Sequence, residues 1–146
     1  MILHPPSQIV VRYMLDQEES LVGAPEQQDL WPCFISSMPD MPNNCVAVYD
    51  TGGEKRGRLL GTGALSLSYG LQIKVRAGTY TEGWQKAQAI EALMSAVKLA
   101  DVTIEDASYV IENVAQTSPV LPLGPEQGTS RRELFVLNFL VDLTEA

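Results

Sequence analysis

One hundred and forty-six residues suffice for a single domain spanning 1–146, since two domains would each be too small to bury a good core. An apolar share of 45%, a charged share of 19% and a mean hydropathy of zero are those of a folded chain rather than a disordered one. Eighteen acidic against ten basic side chains give a net charge of -8, which argues against a surface devoted to nucleic acid, and no apolar run is long enough for a transmembrane helix.

Met1 to Ser7 has neither the basic residue nor the apolar run of a secretory signal, so an intracellular setting is expected. Pro5-Pro6-Ser7 reads as a helix start with Ser7 as the cap, and Ile9, Val10, Tyr13 and Met14 carry helical spacing to about Glu18. His4, ahead of the prolines, reads as an exposed terminal residue. Gly23-Ala24-Pro25 closes this region, and Glu26 to Asp29 reads as a polar loop. Trp31 to Ser37 and Cys45 to Asp50 read as strands, with turn chemistry at Pro39, Pro42, Asn43 and Asn44 between them. Cys33 and Cys45 fall inside these strands. With no C-x-x-C and one histidine they cannot make a zinc site, and they read as two buried, reduced thiols, a cross-strand disulfide being the alternative.

Thr51 to Ser68 is eighteen residues with five glycines and three basic side chains, long for a connection in so small a domain. It reads as a functional loop or a projecting β-arm, with Leu59-Leu60 and Leu65-Ser66-Leu67 on its two limbs. Four leucines there call for cover on another surface such as a neighbouring copy. Tyr69, Leu71, Ile73, Val75 and Ala77 alternate with Gly70, Gln72, Lys74 and Arg76, the pattern of a strand with one covered face. Thr79 and Glu82 form a capping box opening a helix from about Tyr80 to Ala100, whose buried stripe is expected at Trp84, Ala87, Ile90, Leu93, Met94 and Val97. Trp84 and Leu93 are expected against Leu71, Ile73 and Val75, with Phe135 and Phe139 alongside.

Val102 to Glu105 reads as a short strand, Asp106-Ala107 as a tight turn, and Tyr109 to Gln116 as a longer strand. Pro119, Pro122, Gly124 and Pro125 mark a bend and a loop. Glu133 to Leu143 is the last strand, with Phe135, Leu137, Phe139, Val141 and Leu143 on one face. The expected fold is α+β: a mostly antiparallel or mixed sheet with two helices packed on one face, plus a projecting β-arm or loop at about 51–68.

Chemistry is harder to find. Gly52 to Leu59 resembles a phosphate-binding loop only superficially. Arg58 stands where the phosphate-binding Lys belongs, and Leu59 where the magnesium-binding Ser or Thr belongs. Gly61-Thr62-Gly63 begins like a dinucleotide fingerprint, but Ser66 fills the third glycine position. There is no G-x-S-x-G elbow, and the pairs Glu18-Glu19 and Glu105-Asp106 read as solvated neighbours. The reading is therefore no catalytic, cofactor-binding or metal-binding residues. The charge is uneven: net -6 over residues 1–50, +4 over 51–100 and -6 over 101–146. Such alternation favours head-to-tail self-association, and Arg56, Arg58, Arg131 and Arg132 are candidates for ion pairs between copies.

At this point specific groups of residues bear a family likeness. They are Pro5-Pro6-Ser7-Gln8-Ile9, Trp31-Pro32, Pro42-Asn43-Asn44, Val48-Tyr49-Asp50-Thr51 and Gly57-Arg58-Leu59-Leu60. Gly70 to Arg76, Tyr80-x-x-Gly83-Trp84-x-Lys86-Ala87, Ser118-Pro119, Leu123-Gly124 and Ser130 to Phe135 continue it. From about His4 to Leu143 the chain resembles the tail terminator proteins of long-tailed bacteriophages, also described as minor capsid or tail completion proteins. The resemblance implies a non-enzymatic subunit of the virion's tail-neck region, assembled in the host cytoplasm. It implies a ring, usually a hexamer, that caps the head-proximal end of the tail tube and meets the head-completion or connector protein. Genome DNA would pass through the lumen without sequence-specific binding. The interface residues expected on this reading are Arg56, Arg58, Leu59, Leu60, Leu65, Leu67, Arg131 and Arg132. Two alternatives stay open at this level: a head-completion or neck adaptor ring on the portal side, and a monomeric ligand-binding or enzymatic α+β domain.

Overall fold

The structure, a computed structural model, describes residues 2–58, 65–126 and 131–145. In chain order the elements are α1 (Pro6–Leu15), β1 (Cys33–Ile35), β2 (Cys45–Arg58), β3 (Leu65–Ala77), α2 (Tyr80–Ser95), β4 (Lys98–Ile104), β5 (Ala107–Gln116), β6 (Leu121–Pro125) and β7 (Glu133–Glu145). The strands form one mixed sheet in the order β1-β2-β3-β7-β5-β4, with β6 also paired to β7. Among the described residues β1 pairs parallel with β2, and the other strand pairs are antiparallel. The fold is α+β, and mostly sheet.

The sheet curls. α1 touches β1 and β2 at one end of the strand order and β4 at the other, so the two ends approach the same helix. Inward residues of β2, β3, β5 and β7 and the apolar stripes of both helices form one buried cluster, with Val46, Val48, Leu71, Ile73, Val75, Phe135, Leu137 and Phe139 at its middle. The alternation read from Tyr69 to Ala77 holds for this inner face because both helices cover it.

α1 begins earlier than expected, with Pro5 rather than Ser7 at the cap, and ends at Leu15 rather than near Glu18. Pro6 in the first turn gives up no helical hydrogen bond. Ser7 is instead fully buried and donates its N–H and its hydroxyl to the Asp50 carboxylate, at 2.9 and 2.6 Å. A carboxylate from β2 thus serves the helix N-terminus, where a negative charge is favoured. His4 is not an exposed end: it is half-buried, and its Nδ1 lies 2.5 Å from the hydroxyl of the buried Tyr109.

α2 starts where the capping box places it, Thr79 Oγ1 accepting the Glu82 N–H at 3.3 Å. The Glu82 carboxylate reaches outward instead, accepting from Asn44 Nδ2 at 3.1 Å. The buried stripe is Gly83, Ala87, Ile90 and Met94, so Trp84 is a correction. Gly83 presses so close to Phe135 that an added Cβ would lie 2.9 Å from ring atom Cδ2. That approach turns Trp84, 39% exposed, to the rim, where it and Tyr80 meet Phe135 edge-on at 6.3 and 5.1 Å between ring centres. Leu93 is only half-buried. The helix ends at Ser95 rather than Ala100: Leu99 sits at φ 53, and β4 has already begun at Lys98.

Three further boundaries differ. β1 is three residues long, not seven. The β4–β5 turn is Glu105-Asp106, with Glu105 at φ 54, one residue earlier than expected. The segment read as a loop around Pro122 and Pro125 contains β6, an edge strand on β7. Proline is tolerated there because an outer edge needs no N–H. Both cysteines are free and buried. Cys33 shares a face with its partner Val46, while Cys45, one position earlier on β2, faces the opposite side of the sheet.

Candidate functional site

The described parts of the segment 51–68, residues 51–58 and 65–68, belong to the distal halves of β2 and β3. From Cys45↔Arg76 to Thr51↔Gly70 the two strands run in register; the register then shifts between Thr51 and Glu54 and again between Lys55 and Gly57, continuing to Arg58↔Leu65. β1 leaves β2 after Val48, and the β3–β7 ladder starts only at Ser68↔Asp142. Beyond that point the hairpin is a two-stranded ribbon reaching past its own sheet. Bulges at such a place bend and twist a ribbon.

Two glycines make the bend possible. A Cβ on Gly53 would fall well inside contact distance of the Ser68 carbonyl oxygen, and one on Gly70 would collide with the Gly52 carbonyl and Thr51 Oγ1. The two backbones therefore approach more closely than any side chain allows. Next to them the buried Ser68 hydroxyl donates to the Asp142 carboxylate on β7, pinning the ribbon's root to the central strand.

Arg56 and Arg58 lie on the β2 limb of this ribbon, and Leu65 and Leu67 on the β3 limb. Leu59 and Leu60 lie outside the described residues. The remaining two expected residues are elsewhere: Arg131 is exposed and Arg132 is buried, both just before β7. The structure therefore divides the candidate set between an arm and a separate cluster at the other end of β3.

That cluster holds residues the sequence did not single out. Arg76, on the strand face read as polar, is 2% exposed. Its guanidinium donates to the carbonyls of Pro39, Asp40, Pro42 and Asn43 at 2.6, 3.2, 2.7 and 3.2 Å, and to Glu126 Oε2 at 3.4 Å. Arg132 bonds the Asp40 carbonyl, the Asp40 carboxylate at 3.1 Å and the Glu126 carboxylate, so Glu126 is shared by two buried cations. Burial works against the Arg132 charge, but the hydrogen bonds and charges of Asp40 and Glu126 outweigh it and hold its pKa above the ordinary value. Its Nε is left with no partner. Arg132, expected at an interface between copies, spends its charge inside its own chain. Together the two arginines clamp the 39–43 loop over the outer face of β2 and β3, where Cys45 and Ala47 are fully buried. Burial raises the Cys45 pKa, Arg76 and Arg132 pulling it the other way.

The arrangement is one of holding and reaching. Among the described residues no three His, Cys, Asp or Glu side chains gather in a way that could hold a metal ion, and no helix is long and apolar enough to cross a membrane.

A family model described as bacteriophage tail terminator protein matches residues 6–144. No curated protein matches the chain. One solved structure aligns over 82% of this chain and 83% of its own length at 10% identity, with a TM-score of 0.42.

Proposed function

The chain belongs to the bacteriophage tail terminator family, and from that premise we propose that its copies close into a ring, a hexamer, capping the head-proximal end of the tail tube. It is a structural phage protein. In this reading the ring ends tube polymerisation, offers its other face to the head-completion or connector protein, and leaves a lumen for DNA to pass without sequence-specific contact. It works in the tail-neck region of the virion and assembles in the host cytoplasm.

The observation that supports this most is the β2–β3 ribbon. A subunit that reaches beyond its own sheet with a limb carrying Lys55, Arg56 and Arg58, while the flanking thirds of the chain are each net -6, is suited to contact with a neighbour in a closed cycle. Arg131, exposed before β7, is a further contact candidate.

The test is a phage lacking the protein. Overlong or ragged tails are expected, because nothing stops the tube. Tails of normal length beside unjoined heads would instead assign the chain to the neck. Electron micrographs of purified protein with tail tubes should show cyclic symmetry at the tube end, and absence of symmetry in both free and tube-bound protein would remove the ring. Deleting Glu54 to Gly63 should leave a folded monomer that no longer caps tails; capping retained by that variant would return the arm to an ordinary hairpin.

A further inference from the structure

The curled sheet does not close. β1 pairs only with β2, and β4 only with β5, so each has an outer edge without a strand partner among the described residues. On β1 the Cys33 N–H on that edge is taken by the Gly23 carbonyl at 2.9 Å, but the cover is a single bridge, Gly23↔Pro32, and stops there. Both edges border one groove of about 430 Å³, lined by Val11 and Leu15 of α1, Cys33 and Ile35 of β1 and Ile104 of β4. Ile35 is 39% exposed at its mouth. An open sheet edge beside an apolar trough is the setting in which an extended segment adds by backbone pairing, with pockets for its side chains.

The charges around the groove choose the occupant. Asp16, Glu26, Glu105 and Asp106 follow the lining residues Leu15, Pro25 and Ile104 in the chain, and all four are exposed. The basic residue in the lining, Arg12, is paired with Asp16 at 2.8 Å. The rim is therefore acidic. The matching segment must be extended, cationic and furnished with apolar residues, and the chain carries one: the β2–β3 ribbon, with Lys55, Arg56 and Arg58 on one limb and Leu65 and Leu67 on the other.

We propose that the groove between α1, β1 and β4 receives the β2–β3 ribbon of a second copy, the ribbon lying along an open sheet edge with its basic limb against the acidic rim. This rests on the ring reading above and supplies the contact that propagates it. Groove and ribbon are different surfaces, so the contact is heterologous, and each subunit gives one and receives one.

Three versions of the protein test it, each first shown to melt as wild type does: Glu26→Lys with Glu105→Lys on the rim, Arg56→Glu with Arg58→Glu on the ribbon, and all four together. Association is read on purified tail tubes by sedimentation and micrographs. Each pair alone is expected to lower capping at least tenfold, and the four together to restore most of it. Rim and ribbon variants that cap like wild type, or a combined variant that rescues nothing, would overturn the docking site while leaving the ring intact. Wild type that shows no cyclic assembly on tubes would instead sink the ring reading, and the docking site with it. As a direct check, Ile35→Cys protein mixed with Arg58→Cys protein should cross-link between unlike copies on tubes, and neither should cross-link alone.

Discussion

Replacing Arg76 by Met keeps the apolar stem and removes the guanidinium. The carbonyls of Pro39, Pro42 and Asn43 and one oxygen of Glu126 then lose their donor, while the Asp40 carbonyl keeps Arg132. Each orphaned buried group costs about 1–3 kcal/mol if it stays dry, but the 39–43 loop lies at the surface and part of it can rehydrate by lifting. Lifting in turn uncovers Cys45 and Ala47. Breaking a buried charge pair by removing one partner costs about 3–5 kcal/mol. Because Arg132 still holds Glu126, the low end applies, about 3 kcal/mol. That is a large part of the roughly 5–15 kcal/mol that stabilises a domain. With a urea slope near 1.5 kcal/mol/M, the unfolding midpoint should fall by about 2 M at unchanged slope. Arg76→Lys should recover less than half, since one ammonium cannot serve four carbonyls spread around a planar fork. A midpoint within about 0.5 M of wild type for Arg76→Met would show that the loop is held by something other than this side chain.

Ile90→Ala, at a fully buried position, should cost about 2–5 kcal/mol, whereas Leu93→Ala, half-exposed on the same helix, should cost less than about 2 kcal/mol; equal losses in denaturant titrations would contradict the stripe described for α2. Gly83→Ala should destabilise despite the gain in helix propensity, by about 1–2 kcal/mol, because the new methyl meets the Phe135 ring; an unchanged melting temperature would mean that the ring has room to move. Burial, with a smaller contribution from Cys45, raises the Cys33 pKa from 9.0 to about 12. An acid whose folded pKa is raised stabilises the fold below its unfolded value, so that share is lost as pH climbs from 9.0 to about 12, at most about 4 kcal/mol. Cys33→Ala should flatten the alkaline limb of the stability curve, and a limb of unchanged slope would remove Cys33 as its cause.

What the sequence disclosed follows from locality. Tyr69 to Ala77 and Glu133 to Leu143 were legible because alternation depends only on which face is covered. Thr79 and Glu82 announced the start of α2 because a capping box closes within four residues. Its end was not legible: Val97 continues the helical period past the cap at Ala96, and Leu99, already within β4, takes a backbone conformation that side chains rarely adopt. Trp84 was misplaced because the closest approach belongs to a glycine, which carries no apolar signal. β6 was hidden by prolines that forbid a central strand but permit an edge. Arg76 looked like a solvent-facing charge because Asp40 and Glu126 lie 36 and 50 residues away, and Arg132, six residues from Glu126, looked like an interface charge because Asp40 lies 92 residues away. Only the folded chain brings the 39–43 loop over β3. Of the candidate site, the arm was legible as a segment too long and too rich in leucine for a plain turn, but neither its bulges nor the open edges of β1 and β4 had a local signature.

The central position of β7 has a consequence for synthesis. It pairs with β3, β5 and β6, yet it is the last strand in chain order. The two local hairpins, β2–β3 and β4–β5, can form as they leave the ribosome, but each emerges with an inner edge unpaired and half of its apolar face uncovered. No strand joins them until residues 133–145 are out. The decisive step therefore waits for residues 133–145 and is dominated by contacts distant along the chain, a topology that slows closure and leaves adhesive edges exposed meanwhile. A subunit made this way is most prone to mispairing with its sisters during the interval before β7 arrives, and slowing translation should lengthen that interval.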